Sequence, residues 1–301
     1  MFAAIPSPSR SVIEIGPLDL RAYGLMIALG VLAAVWLAQR RWSRAGGGPD
    51  DISSIAMWAV PAGLIGARLY HVITDWRSFQ GRWGDAFKIW EGGLGIPGGM
   101  ALGVAVGLWV IHSRGWDRPT LLDAAVPALP LAQAIGRWGN WFNQELFGTP
   151  TDLPWAIEVD PAVALIPAQY AGETEFHPAF LYESLWNFAL VAVLIWVGNK
   201  QILRPGRLIF GYLLGYGIGR LWIEAIRIDT ASEILGLRVN LWVMGFVSLV
   251  GLVGLLTGRR EVGEEEPAPQ AEADADDDAP EADDEVAEAS EDLAELGDDA
   301  S

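Results

Sequence analysis

Seven apolar runs, at about 21–39, 53–74, 94–112, 120–141, 178–198, 207–227 and 239–257, divide this chain of 301 residues. Each holds roughly 20 residues, the number that crosses a hydrocarbon layer at about 1.5 Å of rise per residue. The arrangement predicts an all-α polytopic membrane protein with seven transmembrane helices. Three of the runs are the least purely apolar: the second carries Arg68, the fourth Arg137, and the sixth Arg220, Glu224 and Arg227. A guanidinium in lipid costs at least about 2.5 kcal/mol on insertion scales, so each such residue is a candidate for a site.

The formal net charge of −18 misrepresents the membrane portion. Residues 261–301 hold 19 acidic and no basic side chains; without them, 19 acidic face 20 basic residues, a net of +1. That tail of Ala, Asp, Glu and Pro has almost nothing to bury and is expected to be disordered. Basic residues in the connections set the orientation. One side collects ten: Arg40, Arg41, Arg44, Arg114, Arg118, Lys200, Arg204, Arg207, Arg259 and Arg260. The other has six, Arg10, Arg21, Arg77, Arg82, Lys88 and Arg238, once Arg68, Arg137, Arg220 and Arg227 are set aside as intramembrane. The first side is therefore expected to be cytoplasmic, with the N-terminus outside and the acidic tail inside. Residues 1–19 lack the basic start and small-residue cleavage site of a signal peptide and read as an interfacial lead-in.

Two outer connections stand out. Residues 75–93 mix tryptophan with basic side chains, as an element lying at the lipid interface does. Residues 149–177 are too long for an ordinary loop and predict a small extracytoplasmic head, with a short strand around Trp155-Ala-Ile-Glu-Val. Glycines recur every four residues at 95, 99, 103 and 107, and again at 211, 215 and 219. Such stripes let another backbone approach closely in lipid, and packing is preferred to a substrate role.

Residues 133–148 crowd amides and charge into the end of an apolar run. Helical spacing puts Gln133, Arg137, Asn140 and Gln144 on one face. In the sixth run Tyr216, Arg220, Glu224 and Arg227 share a face at spacings of four, four and three. The fifth opens with His177-Pro178, and Glu183 lies inside it. His177 reads as a boundary histidine or as a base. Glu183 reads as the partner of an arginine such as Arg137 or Arg220, or as a substrate contact. Three scattered histidines and no cysteine make a poor metal set, so no metal or cofactor is implied, and any thiol must come from a partner.

The run Gly136-Arg137-Trp-Gly139-Asn140-Trp-Phe-Asn143-Gln-Glu145-Leu-Phe-Gly148 resembles the signature of the bacterial prolipoprotein diacylglyceryl transferase family. Further matches follow in order: Arg21-Ala-Tyr23-Gly24, Gly66-Ala67-Arg68, Trp90-Glu-Gly92-Gly93, His177-Pro178 to Tyr182-Glu183, and Tyr216-Gly-Ile-Gly-Arg220 to Glu224 with Arg227. The resemblance implies a multi-pass enzyme of the bacterial plasma membrane. Its reaction transfers diacylglyceryl from phosphatidylglycerol to the lipobox cysteine of a prolipoprotein signal segment, with membrane lipid and that segment as partners and no nucleic acid. It assigns the chemistry to Arg137, Arg220, Glu145 and Glu224. It assigns substrate binding to Tyr23, Arg68, Asn140, Asn143, Gly148, His177, Tyr182, Glu183, Tyr216 and Arg227.

One position departs from the pattern. Many family members have a histidine, considered a base for the thiol, where this chain has Pro97. Deprotonation here is expected to use Glu145, Glu224 or His177, or to need no dedicated base, since a thiol of pKa about 8.5 is partly ionised near neutrality. The residues alone also fit a membrane transporter built on intramembrane Arg/Glu pairs or, less well, a non-catalytic membrane scaffold.

Overall fold

The computed structural model describes residues 4–15, 18–89 and 92–257; the tail 261–301 and the Trp90-Glu91 pair lie outside the described residues. Helices dominate. They are α1 (Ala22–Arg44), α2 (Asp51–Thr74), α3 (Ile96–Ser113), α4 (Arg118–Ala125), α5 (Ala128–Gly136), α6 (Trp138–Asn143), α7 (Ala179–Asn199), α8 (Leu208–Ile226) and α9 (Val239–Thr257). Five of them, α1, α2, α3, α7 and α9, are long and apolar enough to cross a membrane. Their surfaces carry exposed Trp36, Met57, Ile73, Trp109, Phe246 and Leu256. Apolar exposure on that scale marks contact with lipid or a partner rather than with water. The chain is a helical membrane protein.

The fourth apolar run departs from a single helix, and proline explains the first break. Pro127 has no N–H to give to the carbonyl four residues earlier, that of Asp123, and Arg41 Nη2 takes that carbonyl instead at 3.4 Å. The Asp123 carboxylate meanwhile accepts the N–H groups of Gly206 and Leu208, at 2.7 and 3.0 Å, and so caps the start of α8. The second break, at Arg137, separates α5 from α6. Helix α8 is continuous but carries Arg220 and Glu224, so five helices, rather than the seven expected from the apolar runs, meet the length and composition of a membrane span.

Packing follows the glycine stripes. A side chain at Gly95 would strike Tyr70, one at Gly99 would touch Ala67 and the backbone of Gly63, and one at Gly103 would meet Ala59 and Gly63, so α3 lies hard against α2. On α8, Gly211, Gly215 and Gly219 face Leu194, Leu190 and Trp186 of α7. Both stripes therefore serve helix contact. Helix α5 packs between α1 and α7, and α9 covers α8.

Short strands modify the all-α expectation. β1 (Ile5–Pro6), β4 (Ile157–Glu158) and β5 (Glu175–Phe176) form a small sheet in the order β1-β4-β5, with β1 parallel and β5 antiparallel to β4. β2 (Val12–Ile15) pairs with β3 (Leu18–Arg21), and β6 (Glu233–Ile234) with β7 (Leu237–Arg238). The strand expected near Trp155 is β4. Segment 149–177 thus has its own structure, and Ile157, Val159 and Phe176 pack with Phe147 and Phe180 in one apolar cluster beneath it.

Candidate active site

At the centre lies the carboxylate of Glu183, one turn into α7 and almost fully buried. A buried carboxylate is tolerable only when cations and donors compensate it. Glu183 Oε2 meets Arg137 Nε at 2.5 Å as an ion pair, and Oε1 accepts from Arg220 Nη1 at 2.6 Å. Helix α8 brings Glu224 one turn beyond Arg220, where Oε2 accepts from Arg220 Nη2 at 2.8 Å. Of the two readings of Glu183, the arginine partner is the one the fold displays, and it pairs with both Arg137 and Arg220.

Past the end of α8 the cluster continues. Glu224 Oε1 accepts from Asn240 Nδ2 at 3.0 Å and lies 2.9 Å from Arg238 Nε. Arg227 grips Asp229 with two parallel bonds, Nε to Oδ1 at 2.7 Å and Nη2 to Oδ2 at 2.8 Å, the bidentate geometry at which arginine excels. Arg238 adds Nη2 to Asp229 Oδ2 at 3.1 Å and Nη1 to the Arg227 carbonyl at 2.7 Å. Burial opposes ionisation of Asp229, but the hydrogen bonds and charges of Arg227 and Arg238 outweigh it and hold the carboxyl below its ordinary range. Four guanidiniums, those of Arg137, Arg220, Arg227 and Arg238, thus meet three carboxylates, those of Glu183, Glu224 and Asp229. One positive charge is left over. The most open of the four is Arg137, with 22 % of its side chain exposed against 10 %, 7 % and 15 % for Arg220, Arg227 and Arg238.

The signature residues gather beside Arg137. Arg137 Nη1 donates to Asn140 Oδ1 at 3.4 Å, and Asn140 Nδ2 and Asn143 Nδ2 both donate to Glu145 Oε1, at 2.8 and 3.2 Å. Two non-glycine residues in the left-handed region, Gln144 (φ 52°) and Leu146 (φ 59°), flank Glu145 and turn its carboxylate back toward the amides. Buried Gln144 fixes this turn: its Nε2 donates to the Pro8 carbonyl at 3.1 Å and its Oε1 accepts from Asp160 N at 2.7 Å. A pocket of about 310 Å³ opens alongside, bounded by Asn143, Glu145 and Asp229 with apolar walls from Phe147, Leu165 and Ile228.

Gly148 is required by close approach. Its N–H bonds the His177 carbonyl at 2.9 Å, and a Cβ there would lie 2.8 Å from His177 Cβ and 3.1 Å from the Ile226 carbonyl. The signature is thereby sewn to the starts of α7 and the loop after α8. Tyr23, in the first turn of α1, packs against α6, its ring filling the space that a side chain at Gly139 would need. His177 Nδ1 shares a 3.0 Å hydrogen bond with Tyr182 Oη, which also accepts from Trp155 Nε1. Burial pushes the His177 imidazole below its ordinary value, which favours the neutral ring. Tyr216 stacks on Tyr212, one turn from Arg220.

Arg68 has a different setting. Its three donor nitrogens bond the carbonyls of Asp85, Ala86, Gly92 and Gly93 at 2.5 to 3.1 Å, and its guanidinium lies over Phe79. It therefore holds the connection between α2 and α3 in shape. Pro97 is the second residue of α3, a position that tolerates proline because its missing N–H would be unpaired there. Gln144, placed from sequence on the Arg137 face, supports the cluster; Arg238, Asp229 and Asn240 belong to it or to its supports but were not singled out as site residues from sequence. Only Asp229, two residues after Arg227, carried a local signal.

With this geometry in view, comparison with known proteins is decisive. The family model described as prolipoprotein diacylglyceryl transferase matches residues 10–257. Phosphatidylglycerol–prolipoprotein diacylglyceryl transferase 1 of Streptomyces coelicolor is 50 % identical over 270 residues, covering 88 % of this chain and 77 % of that protein. The enzyme so named from Frankia alni is 50 % identical over 266 residues, covering 87 % and 69 %, and that of Rhodococcus jostii is 46 % identical over 288 residues, covering 91 % and 79 %. The match runs from before the first membrane helix to the end of the last and takes in every residue of the arginine cluster, so the chain belongs to the prolipoprotein diacylglyceryl transferase family.

Proposed function

We propose that this chain transfers the diacylglyceryl group of phosphatidylglycerol to the lipobox cysteine of prolipoproteins, as its relatives' names describe. The observation that carries the reading is the convergence of four guanidiniums on one buried cluster, with Arg137 the most open of them. A lipid phosphate is the anion that such a site, set among membrane helices, is built to receive. The thiolate sulfur attacks the glyceryl carbon that bears the phosphate; a C–S bond forms, the C–O bond breaks, and glycerol phosphate leaves with the electron pair. Negative charge grows on the departing phosphate oxygen. Arg137 and Arg220, already oriented by Glu183, stabilise it without having to reorganise.

The thiol proton needs an acceptor, and the cluster discriminates among the candidates. Glu224 has both oxygens engaged, one by Arg220 and the other by Arg238 and Asn240. His177 shares its Nδ1 with Tyr182. Among the described residues the Glu145 carboxylate is bonded to the amides of Asn140 and Asn143, beside the open arginine, and is the best placed base for the reaction. Asn140 and Asn143 orient Glu145, while Tyr23, Gly148, Tyr182, Tyr216 and Arg227 shape the walls around the head group.

Seven crossings complete this reading, with the α4–α6 run and α8 as the fourth and sixth. Basic connections support it, because they meet at one end of the bundle: Arg41 contacts Asp123 and Gly198, and Gly206 packs on Pro119. That end is cytoplasmic under the positive-inside rule. The arginine cluster and segment 149–177, the head, then lie toward the outside, the N-terminus is outside, and residues 261–301 extend into the cytoplasm. A direct test is mass spectrometry of a lipobox peptide incubated with the protein and phosphatidylglycerol. The reading predicts a mass increase of one diacylglyceryl group on the cysteine; an unmodified peptide contradicts it.

A further inference from the structure

One helical turn inward from the ion pairs, each of the three helices carries an uncharged polar residue. Gln133 precedes Arg137 by four on the α5 face, Asn187 follows Glu183 by four on α7, and Tyr216 precedes Arg220 by four on α8. Antiparallel packing brings them to one level. Arg137 pairs with Glu183 and the Ala134 carbonyl accepts from Ser184 Oγ at 2.9 Å, which sets Gln133 near the height of Asn187. Arg220 pairs with Glu183 and Gly215 O accepts from Trp186 Nε1 at 2.9 Å, which does the same for Tyr216. Gln133 Nε2 donates to Tyr212 Oη at 2.8 Å, and Tyr212 stacks on Tyr216, so Gln133 and the two tyrosines are linked, while Asn187 lies at the same level without a partner for its Oδ1 among the described residues.

The layer is unfinished. Asn187 is 2 % exposed, yet its Oδ1 has no hydrogen-bond partner among the described residues, and buried Oε1 of Gln133 has none either. Amides left unpaired among apolar helices are costly and need a reason. A half-turn of a terminal amide exchanges its C=O for its NH2, so each can present a donor. The transferred group supplies fitting acceptors. In a glycerolipid the two ester carbonyls follow the phosphate by a distance on the order of one helical turn, about 5.4 Å.

We propose that Asn187 and Gln133 form a second subsite, which hydrogen-bonds the ester carbonyls of the diacylglyceryl group while the arginines above hold its phosphate. The inference rests on the transferase reading and adds to it a recognition of acyl esters, as distinct from apolar chains in general. Arginines that hold a phosphate cannot tell an ester lipid from an ether lipid; this layer can.

The test compares diacyl phosphatidylglycerol with its dialkyl ether analogue, which keeps the phosphate and the leaving group but has no carbonyls. Both are offered with a lipobox peptide to wild type, Asn187→Leu and Gln133→Leu in mixed micelles. For the wild type, KM for the ether lipid should be roughly five- to tenfold higher per hydrogen bond lost. Each leucine variant should raise KM for the diacyl lipid toward that of the ether lipid and leave the ether KM unchanged. Asn187→Leu removes an unpaired amide oxygen from an apolar interior and should melt no lower than wild type, whereas Gln133→Leu also takes the donor from Tyr212 Oη and is read by its KM pattern on the two lipids. Equal KM values for the two lipids in the wild type, or leucine variants that impair both lipids alike, would overturn the subsite. Transfer from neither lipid by folded wild type would overturn the transferase reading, and the subsite with it.

Discussion

Arg137 and Arg220, 83 residues apart in the chain, bind opposite oxygens of the Glu183 carboxylate at 2.5 and 2.6 Å. Neither guanidinium is therefore an isolated charge in the membrane protein's interior. Arg137 is neutralised at Nε and keeps the more exposed part of its fork for a ligand, whereas Arg220 is held at both terminal nitrogens by Glu183 and Glu224 and contributes charge from behind it. From this relationship come consequences for stability as well as for activity.

Removing the shared acid should be more damaging than its apparent distance from the chemistry suggests. Glu183→Gln leaves two guanidiniums facing one neutral amide, and breaking a buried pair in this way costs about 3–5 kcal/mol. Thermal denaturation in detergent should show a clear loss of stability relative to wild type. A variant as stable as wild type would mean that water or lipid compensates these arginines already.

Arg238 tests the part of the cluster furthest from the signature. Arg238→Ala deprives Glu224 and Asp229 of a cation and leaves the Arg227 carbonyl unpaired. Loss of hydrogen bonds to charged groups, each worth about 1.5–3 kcal/mol, should lower transfer by tenfold or more. Arg238→Lys keeps the charge but not the planar fork and should recover activity only in part. Steady-state rates at matched protein levels decide the matter.

At Gly148 the expected effect is steric. The atoms that would meet an added methyl are a Cβ and a backbone carbonyl, neither of which can rotate away. Gly148→Ala should therefore cost about 1–3 kcal/mol of stability and displace Glu145 relative to Arg137. Raised KM together with a lowered melting temperature is the predicted result.

His177 sets a pH dependence. Its imidazole is pushed below 6.5 by burial, so the folded protein binds the proton less readily than the unfolded chain. Its contribution to stability is therefore complete above pH 6.5 and is lost as pH falls through the folded value. His177→Asn should flatten the fall in melting temperature on the acid side of 6.5 and change little above it. Equal slopes in the two proteins would remove His177 from the account.

Much of the architecture was legible because lipid imposes a coarse rule: apolar runs of one length become helices, and regular glycines become contacts. The four-residue glycine stripes marked the packing faces of α3 and α8, and the fold supplied their partners, α2 and α7. Spacing on one helix face likewise united Arg220 with Glu224. What escaped sequence reading depends on contacts between distant segments. Arg238 looks like an ordinary connecting residue until the β6–β7 hairpin folds it back onto Asp229 and Glu224. Gln144 shares a helical face with Arg137 in projection, yet the chain leaves the helix there in a left-handed turn. Arg68 shows the converse, for a charge within an apolar run proves to bind the carbonyls of a neighbouring loop. The fourth run broke where Pro127 withholds one N–H, and the compensating donor, Arg41, lies on another helix.

The central claim is that Arg137 and Arg220 stabilise the departing phosphate. Its most direct measurement is transfer from phosphatidylglycerol to a lipobox peptide, in vesicles, by wild type, Arg137→Ala and Arg220→Ala. The account predicts transfer by wild type and its loss in both variants at matched levels of folded protein, with Arg137→Ala, the more exposed of the two, losing less stability than Arg220→Ala. Wild-type rates from a folded Arg137→Ala protein would contradict it.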